Sequence, residues 1–258
     1  MLYRFFFVSL QPNCVTYMKL VLDIGNSYTK VAMYEEYAAV ERLLVHKDNE
    51  DAESARLWLA KADSVAISTV GRHSLIGEIV ENSGKPLFKL TKETPLPFRN
   101  AYLTPETLGL DRIAGMFGAY AMYPKKNDFL VVDLGTCNTY DIILDNVFIG
   151  GNIAPGVDMR MKAMHEFTAK LPLFAPKDNG RIVGRNTEEA MECGALTGVV
   201  DEVNSYIKRF YNDAPNGVCI LTGGYSELII NYVNGQYVYN PFLVPDGLNY
   251  AALYRSKK

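Results

Sequence analysis

The chain has 258 residues, 48% of them apolar, and a formal net charge of −3 built from interspersed acids and bases. That is enough apolar mass to bury a core in two closely packed domains, and the charge gives no footprint for nucleic acid or an anionic membrane, so neither is an expected partner. No apolar stretch approaches the ~20 residues that cross a bilayer, and Cys14, Cys137, Cys193 and Cys219 form no CxxC pair, so a cytoplasmic protein with reduced thiols and a small-molecule substrate is expected.

Residues 1–17 lack the extended apolar region and small-residue cleavage site of a signal peptide. Met18 directly precedes the strand-like run Lys19-Leu20-Val21-Leu22-Asp23 and is the expected start, which makes 1–17 a non-native extension.

Leu20-Val21-Leu22-Asp23-Ile24-Gly25 returns later as Leu130-Val131-Val132-Asp133-Leu134-Gly135, and the match runs on to Thr29 and Thr139. In each copy an apolar strand meets Asp and Gly, turns through small polar residues and resumes over 29–34 or 139–144, which predicts a β-hairpin. A second echo pairs Val65-Ala66-Ile67-Ser68-Thr69-Val70-Gly71 with Val218-Cys219-Ile220-Leu221-Thr222-Gly223-Gly224. Both are buried-type strands entering a glycine turn. Two similar α/β halves follow from these repeats, and Pro124 with the polar residues after it sets the expected boundary between 18–124 and 125–258.

Helices are predicted at 112–123, 157–170 and 187–210. In the first, Gly115 and Gly118 would admit the close approach of another backbone. In the last, Gly194, Ala195 and Gly198 offer a closely packing face.

No GxxxxGK[ST] and no GxGxxG occurs, so the common helix-borne phosphate cradles are absent. The paired Asp-x-Gly turns supply another: glycine bares backbone N–H groups to an anion, a following hydroxyl donates, and the carboxylate holds a cation. One Asp-Gly turn is an ordinary hairpin. Two at matching strand ends suit a nucleoside triphosphate.

Asp111, after Gly109 at the mouth of a helix, is either a helix cap or a carboxylate aimed into a cleft. Arg112 opens that helix where the macrodipole disfavours a cation by ~0.3–1 kcal/mol, so a compensating partner is expected. Thr187 starts the long helix, with Asn186 and Glu189 able to form a capping box. His46, His73 and His165 have no metal-ligand spacing and read as structural or surface residues.

Together, Asp23-Ile24-Gly25-Asn26-Ser27-Tyr28-Thr29-Lys30, Gly109-Leu110-Asp111-Arg112, Asp133-Leu134-Gly135-Thr136, Gly150-Gly151-Asn152-Ile153-Ala154-Pro155-Gly156 and Leu221-Thr222-Gly223-Gly224 fall in an order and spacing that resembles type III pantothenate kinase over 18–258. The resemblance implies the actin-like ATPase fold, with two ribonuclease H-like halves facing across a nucleotide cleft. It implies an ATP-dependent kinase that phosphorylates pantothenate to 4′-phosphopantothenate, the first step of coenzyme A biosynthesis, and that acts as a homodimer. The rival readings are another actin-fold phosphotransferase and a non-catalytic regulatory protein of the transcription-accessory kind.

By the same resemblance, residues 23–30 form the first phosphate loop and Thr136 contacts ATP from the second. Asp23 organises Mg²⁺ through water, and Asp133 organises K⁺ or another monovalent cation. Asp111 is the general base, while Tyr102, Gly109, Leu110, Arg112 and Thr187 bind pantothenate, Arg112 through its carboxylate. Chemistry alone leaves Mg²⁺ and K⁺ open at Asp133 and leaves Lys30 as either a phosphate contact or a solvated strand residue. Ser27 stands where the family often has Thr, and Leu110 where it often has Ala.

Overall fold

The computed structural model describes residues 17–25, 28–69, 74–178 and 180–255. The elements run β1 Met18–Ile24, β2 Tyr28–Glu35, β3 Ala38–His46, α1 Ala52–Lys61, β4 Ser64–Thr69, α2 Leu75–Glu81, β5 Leu87–Lys89, β6 Arg99–Asn100, α3 Leu110–Met122, β7 Phe129–Leu134, β8 Cys137–Leu144, β9 Val147–Pro155, α4 Val157–Glu166, α5 Thr187–Asp213, β10 Val218–Thr222, α6 Ser226–Ile229, β11 Val238–Tyr239 and α7 Leu243–Arg255. The predicted helix at 157–170 stops at Glu166, and the one at 187–210 continues to Asp213.

The chain divides into two compact units. Of the described residues, the first holds 17–25, 28–69, 74–97, 103–124 and 242–255, and the second holds 98–102, 125–178 and 180–241. Both break at 124/125, but α7 belongs to the first unit and Tyr102 to the second, which sequence spacing alone does not reveal.

In the first unit the sheet order is β3-β2-β1-β4-β5. β1 pairs antiparallel with β2, β2 with β3, while β4 runs parallel to β1 and β5 to β4. Alternation along β1 sends Leu20, Leu22 and Ile24 into a core with Val31, Trp58, Ile67 and Val80. Asp51 caps α1 by accepting from Ser54 N at 2.7 Å.

α7 closes the other side of this unit against α3. Gly118 and Gly247 make that approach possible: a Cβ on Gly118 would lie 2.3 Å from the Leu243 carbonyl oxygen, and one on Gly247 would lie 1.8 Å from that of Ala114. The Tyr34 hydroxyl donates to Asp246 at 2.5 Å and Arg42 pairs with the same carboxylate at 2.6 Å, tying α7 to β2 and β3. Burial, then the Asp246 charge, push the Tyr34 phenol well above its ordinary value.

The second unit repeats the arrangement. Its sheet order β11-β10-β7-β8-β9-β6 contains the same succession, with β7 in the place of β1, β10 and β11 parallel beside it, and β6 added at the far edge. Each unit is thus ribonuclease H-like, and the fold is the actin-like α/β pair. Leu130, Val132, Tyr140, Val199, Val203 and Phe210 fill its core under α4 and α5. Cys219 lies within it, its thiol pushed up to about 12 by burial, which leaves it inert. Among the described residues no helix is long and apolar enough to cross a membrane.

Candidate functional site: two Asp-x-Gly turns and a Gly-x-Asp-Arg helix start

Asp23 is buried at the next-to-last position of β1, and the turn after the strand is closed by Gly25 N donating to the Tyr28 carbonyl at 3.0 Å. Lys30 is the cross-strand partner of Asp23 and Thr29 that of Ile24, so Lys30 and Asp23 share one face and Thr29 and Ile24 the other. Thr29 is fully buried, and its hydroxyl donates to Glu50 Oε1 at 2.6 Å. Tyr28 is exposed and stands edge-on to His46 at 5.0 Å. Asn26 and Ser27 lie outside the described residues, as do Cys14 and His73.

Glu50 gathers more than Thr29. It accepts from Ser74 Oγ at 2.9 Å and from Ile76 N at 3.4 Å, and it pairs with Lys47 at 3.2 Å. Burial pushes its carboxyl up, but the hydrogen bonds from Thr29 and Ser74 and the Lys47 ammonium outweigh that and hold it below the ordinary glutamate value.

In the second unit Asp133 is opposite Thr139, and Leu134 is opposite Asn138. The repeat Thr29/Thr139 is therefore not a structural equivalence, because the two threonines sit one register step apart and point to opposite faces. Thr136 is exposed at the turn, where its carbonyl accepts from Gly156 N at 3.1 Å. A Cβ on Gly156 would lie 2.3 Å from the Gly135 oxygen, which explains the glycine ending the 150–156 motif. Gly223 has φ +97°, and its missing side chain is replaced by Asp133, whose Oδ1 would be 2.5 Å from a Cβ there.

α3 begins at Leu110 with Gly109 as its cap residue and no side-chain cap. Asp111 is thus inside the first turn, its Oδ1 accepting from Arg112 N at 2.8 Å. Arg112 is buried at 6% exposure. Gly109, Leu110, Asp111 and Arg112 belong to the first unit with the 23–30 loop, whereas Tyr102, Asp133, Thr136 and Thr187 belong to the second. Tyr102 stacks on Phe148 at 5.7 Å. The cap of α5 is Asn186, which accepts from Glu189 N at 2.9 Å, while Glu189 accepts from Arg185 N at 2.8 Å. Thr187 is exposed and does not supply the cap bond. His165 Nδ1 lies 2.7 Å from the Leu171 carbonyl oxygen.

The family model described as type III pantothenate kinase matches residues 19–209. The chain belongs to the type III pantothenate kinase family. Type III pantothenate kinases of Bacteroides fragilis and Christiangramia forsetii are each 35% identical to it, over 90% of this chain and 96% and 97% of theirs. That of Phocaeicola vulgatus is 34% identical over 93% of this chain and 100% of its own. A solved structure of a Campylobacter jejuni protein assigned to the Baf family of transcriptional activators is similar in fold, with TM-score 0.58 at 20% identity over 93% of this chain and all of that one.

For a type III pantothenate kinase the cation positions are tested by what surrounds the two aspartates. Beside Asp133 is a cradle that a Cβ on Gly223 would fill. Beside Asp23 the register places Ser68, and beside Asp133 it places Thr222. Ser68 is 2% and Thr222 0% exposed, and among the described residues neither hydroxyl oxygen has a hydrogen-bond partner. A carboxylate with a spare buried hydroxyl next to it fits a hydrated cation or a phosphate oxygen in both units. Among the described residues there is no cluster of three or more His, Cys, Asp or Glu that could hold a metal ion.

Sequence reasoning missed Ser68, Thr222 and Glu50. The first two stand in the echoed strands, but matching by sequence sets Thr69 against Thr222, whereas the strand register sets Ser68 there.

Proposed function

We propose that the protein transfers the γ-phosphoryl group of ATP to the primary hydroxyl of pantothenate, giving 4′-phosphopantothenate and ADP, the first step of coenzyme A biosynthesis. The observation that carries this reading is the Gly109–Arg112 helix start in a chain of this family: a carboxylate and a buried guanidinium side by side. Substrate oxygen attacks the γ-phosphorus, the bond to the β-phosphate oxygen breaks, and the hydroxyl proton passes to the Asp111 carboxylate. Arg112 pairs with the pantothenate carboxylate, for which a planar guanidinium is suited, and Tyr102 and Thr187 add contacts to the same substrate.

The 23–30 loop and Thr136 hold the phosphates, with Gly25 supplying a close backbone and Lys30 a cation beside Asp23. Mg²⁺ would be held at Asp23 through water and K⁺ at Asp133, and such cations supply charge neutralisation on the phosphates when bound. The family's regulatory alternative is not favoured, since Asp23, Asp111, Arg112, Asp133 and Thr136 are all present. A cytoplasmic homodimer completes the reading; Gly194 faces open space, though Ala195 is buried and Gly198 lies under Arg160.

The test is phosphorylation of pantothenate by purified protein with ATP, Mg²⁺ and K⁺, read as ADP release and product mass. Activity on a sugar or acetate but not on pantothenate overturns the substrate. Equal activity with Na⁺ in place of K⁺ removes the potassium assignment, and a monomer at micromolar concentration in sedimentation removes the dimer.

A further inference from the structure

The strands that enter and leave the first Asp-x-Gly turn are both buttressed on one face. At the entry, Ile24 packs so tightly on α2 that a Cβ on Gly77 would lie 2.7 Å from its Cδ1. At the exit, its cross-strand partner Thr29 is fully buried and donates to Glu50 at 2.6 Å. Glu50 in turn accepts from Ser74, the cap of α2, whose Oγ also accepts from Gly77 N at 3.1 Å. One carboxylate thus joins the exit strand to the helix that packs on the entry strand.

We propose that Glu50 is the positioning residue of the first phosphate loop, fixing the spacing of its two stems and thereby the affinity for ATP. The proposal rests on the reading of 23–30 as a phosphate loop. The Glu50 side chain is only 4% exposed. It acts through Thr29, whose hydroxyl faces Glu50 and is committed to the loop's support.

The second turn lacks this device. The residue at the register position of Thr29 is Asn138, a fully buried amide in place of a hydroxyl held by a carboxylate. An anchored carboxylate is therefore a property of the first loop and not of the fold in general. All groups around Glu50 present donors to it: the Thr29 and Ser74 hydroxyls, the Ile76 N–H and the Lys47 ammonium. A carboxylate has acceptors for all of them. A glutamine has one acceptor oxygen and turns an NH₂ group toward donors.

The experiment compares wild type, Glu50→Gln, Thr29→Val, Thr29→Ser and the double variant Glu50→Gln/Thr29→Val. It reads ATP affinity by calorimetry without pantothenate, KM for each substrate, Tm, and hydrogen exchange over 23–30. Glu50→Gln should raise the ATP Kd and the ATP KM by about tenfold, leave the pantothenate KM within about twofold, and speed exchange in the loop. The double variant should be no worse than the poorer single one, because both remove the same link, and Thr29→Ser should restore ATP affinity relative to Thr29→Val. A lower Tm with unchanged ATP Kd overturns the proposal by showing a merely structural role, as does an equal rise in both KM values. If Glu50→Gln does not fold, Thr29→Val decides alone: ATP affinity equal to that of Thr29→Ser overturns it. Wild type that binds no ATP would instead defeat the phosphate-loop reading itself.

Discussion

Oδ1 of Asp111 occupies the space that a side chain on Gly109 would take, for a Cβ built on Gly109 comes within 2.3 Å of it. The backbone of Gly109, at φ −57° and ψ 137°, is one that alanine adopts freely. What demands glycine is the neighbouring carboxylate, not the turn.

Gly109→Ala should therefore leave the fold intact and displace the Asp111 carboxylate. A displacement of about 1 Å at a reacting group costs up to ~10² in rate, so kcat should fall ten- to a hundredfold while Tm changes by less than a few degrees. Steady-state kinetics beside a thermal melt checks this. An alanine variant of wild-type rate would mean that Asp111 does not need that position.

Asp111→Asn separates chemistry from helix capping. The cap residue of α3 is Gly109, and the hydrogen bond that Asp111 does accept, from Arg112 N, is equally open to an asparagine oxygen. Stability should hold, while kcat falls by ~10²–10⁴ because the amide cannot take the hydroxyl proton. Turnover near that of wild type in a folded, ATP-binding variant rules out the base.

The Glu50 network should show in acid. Its carboxyl is held below the ordinary glutamate value, so its contribution to stability is complete above the unfolded value of ~4.3 and disappears as pH falls through the lower folded value. The Tm gap between wild type and Glu50→Gln should be constant from pH 7 to 5 and close below about pH 4.3. A gap that stays constant down to pH 3 means the carboxylate charge is not what stabilises the network.

The duplicated Asp-x-Gly runs make two similar α/β halves legible, because a strand ending in Asp and Gly leaves a trace in one sequence. β3 and β9 carried no such trace, nor did α7, whose place in the first unit is decided by the meeting of Gly118 and Gly247 from distant parts of the chain. In the site, Asp111 and Arg112 stood out by type and spacing. Register did not: only the paired strands show that Thr29 faces Glu50 while Thr139 stands opposite Asp133. Glu50 lies in a segment without any motif, and its role comes from Thr29, Ser74 and Ile76, donors distant in sequence that the fold brings to it.

The same register gives the last prediction. Ser68 beside Asp23 and Thr222 beside Asp133 are both buried, and among the described residues both hydroxyl oxygens are without partners. An unsatisfied buried polar group costs ~1–3 kcal/mol, and two hydroxyls in matching places beside the two aspartates suit a ligand oxygen or a cation's water. Thr222→Val removes the hydroxyl and leaves nearly the same volume, so the ligand-free protein should gain stability, about 2–4 °C in Tm for each kcal/mol recovered. ATP affinity should move the other way, weakening by about tenfold if that hydroxyl reaches a phosphate oxygen or a cation's water. Ser68→Ala should repeat the loss of affinity, with a smaller gain in Tm because removing the oxygen leaves a small void. Thermal melts with and without ATP and Mg²⁺ read both effects in one experiment. A Thr222→Val protein that melts lower without ligand shows that the hydroxyl is already satisfied, and one that melts higher yet binds ATP as tightly as wild type shows that the hydroxyl has no part in the site.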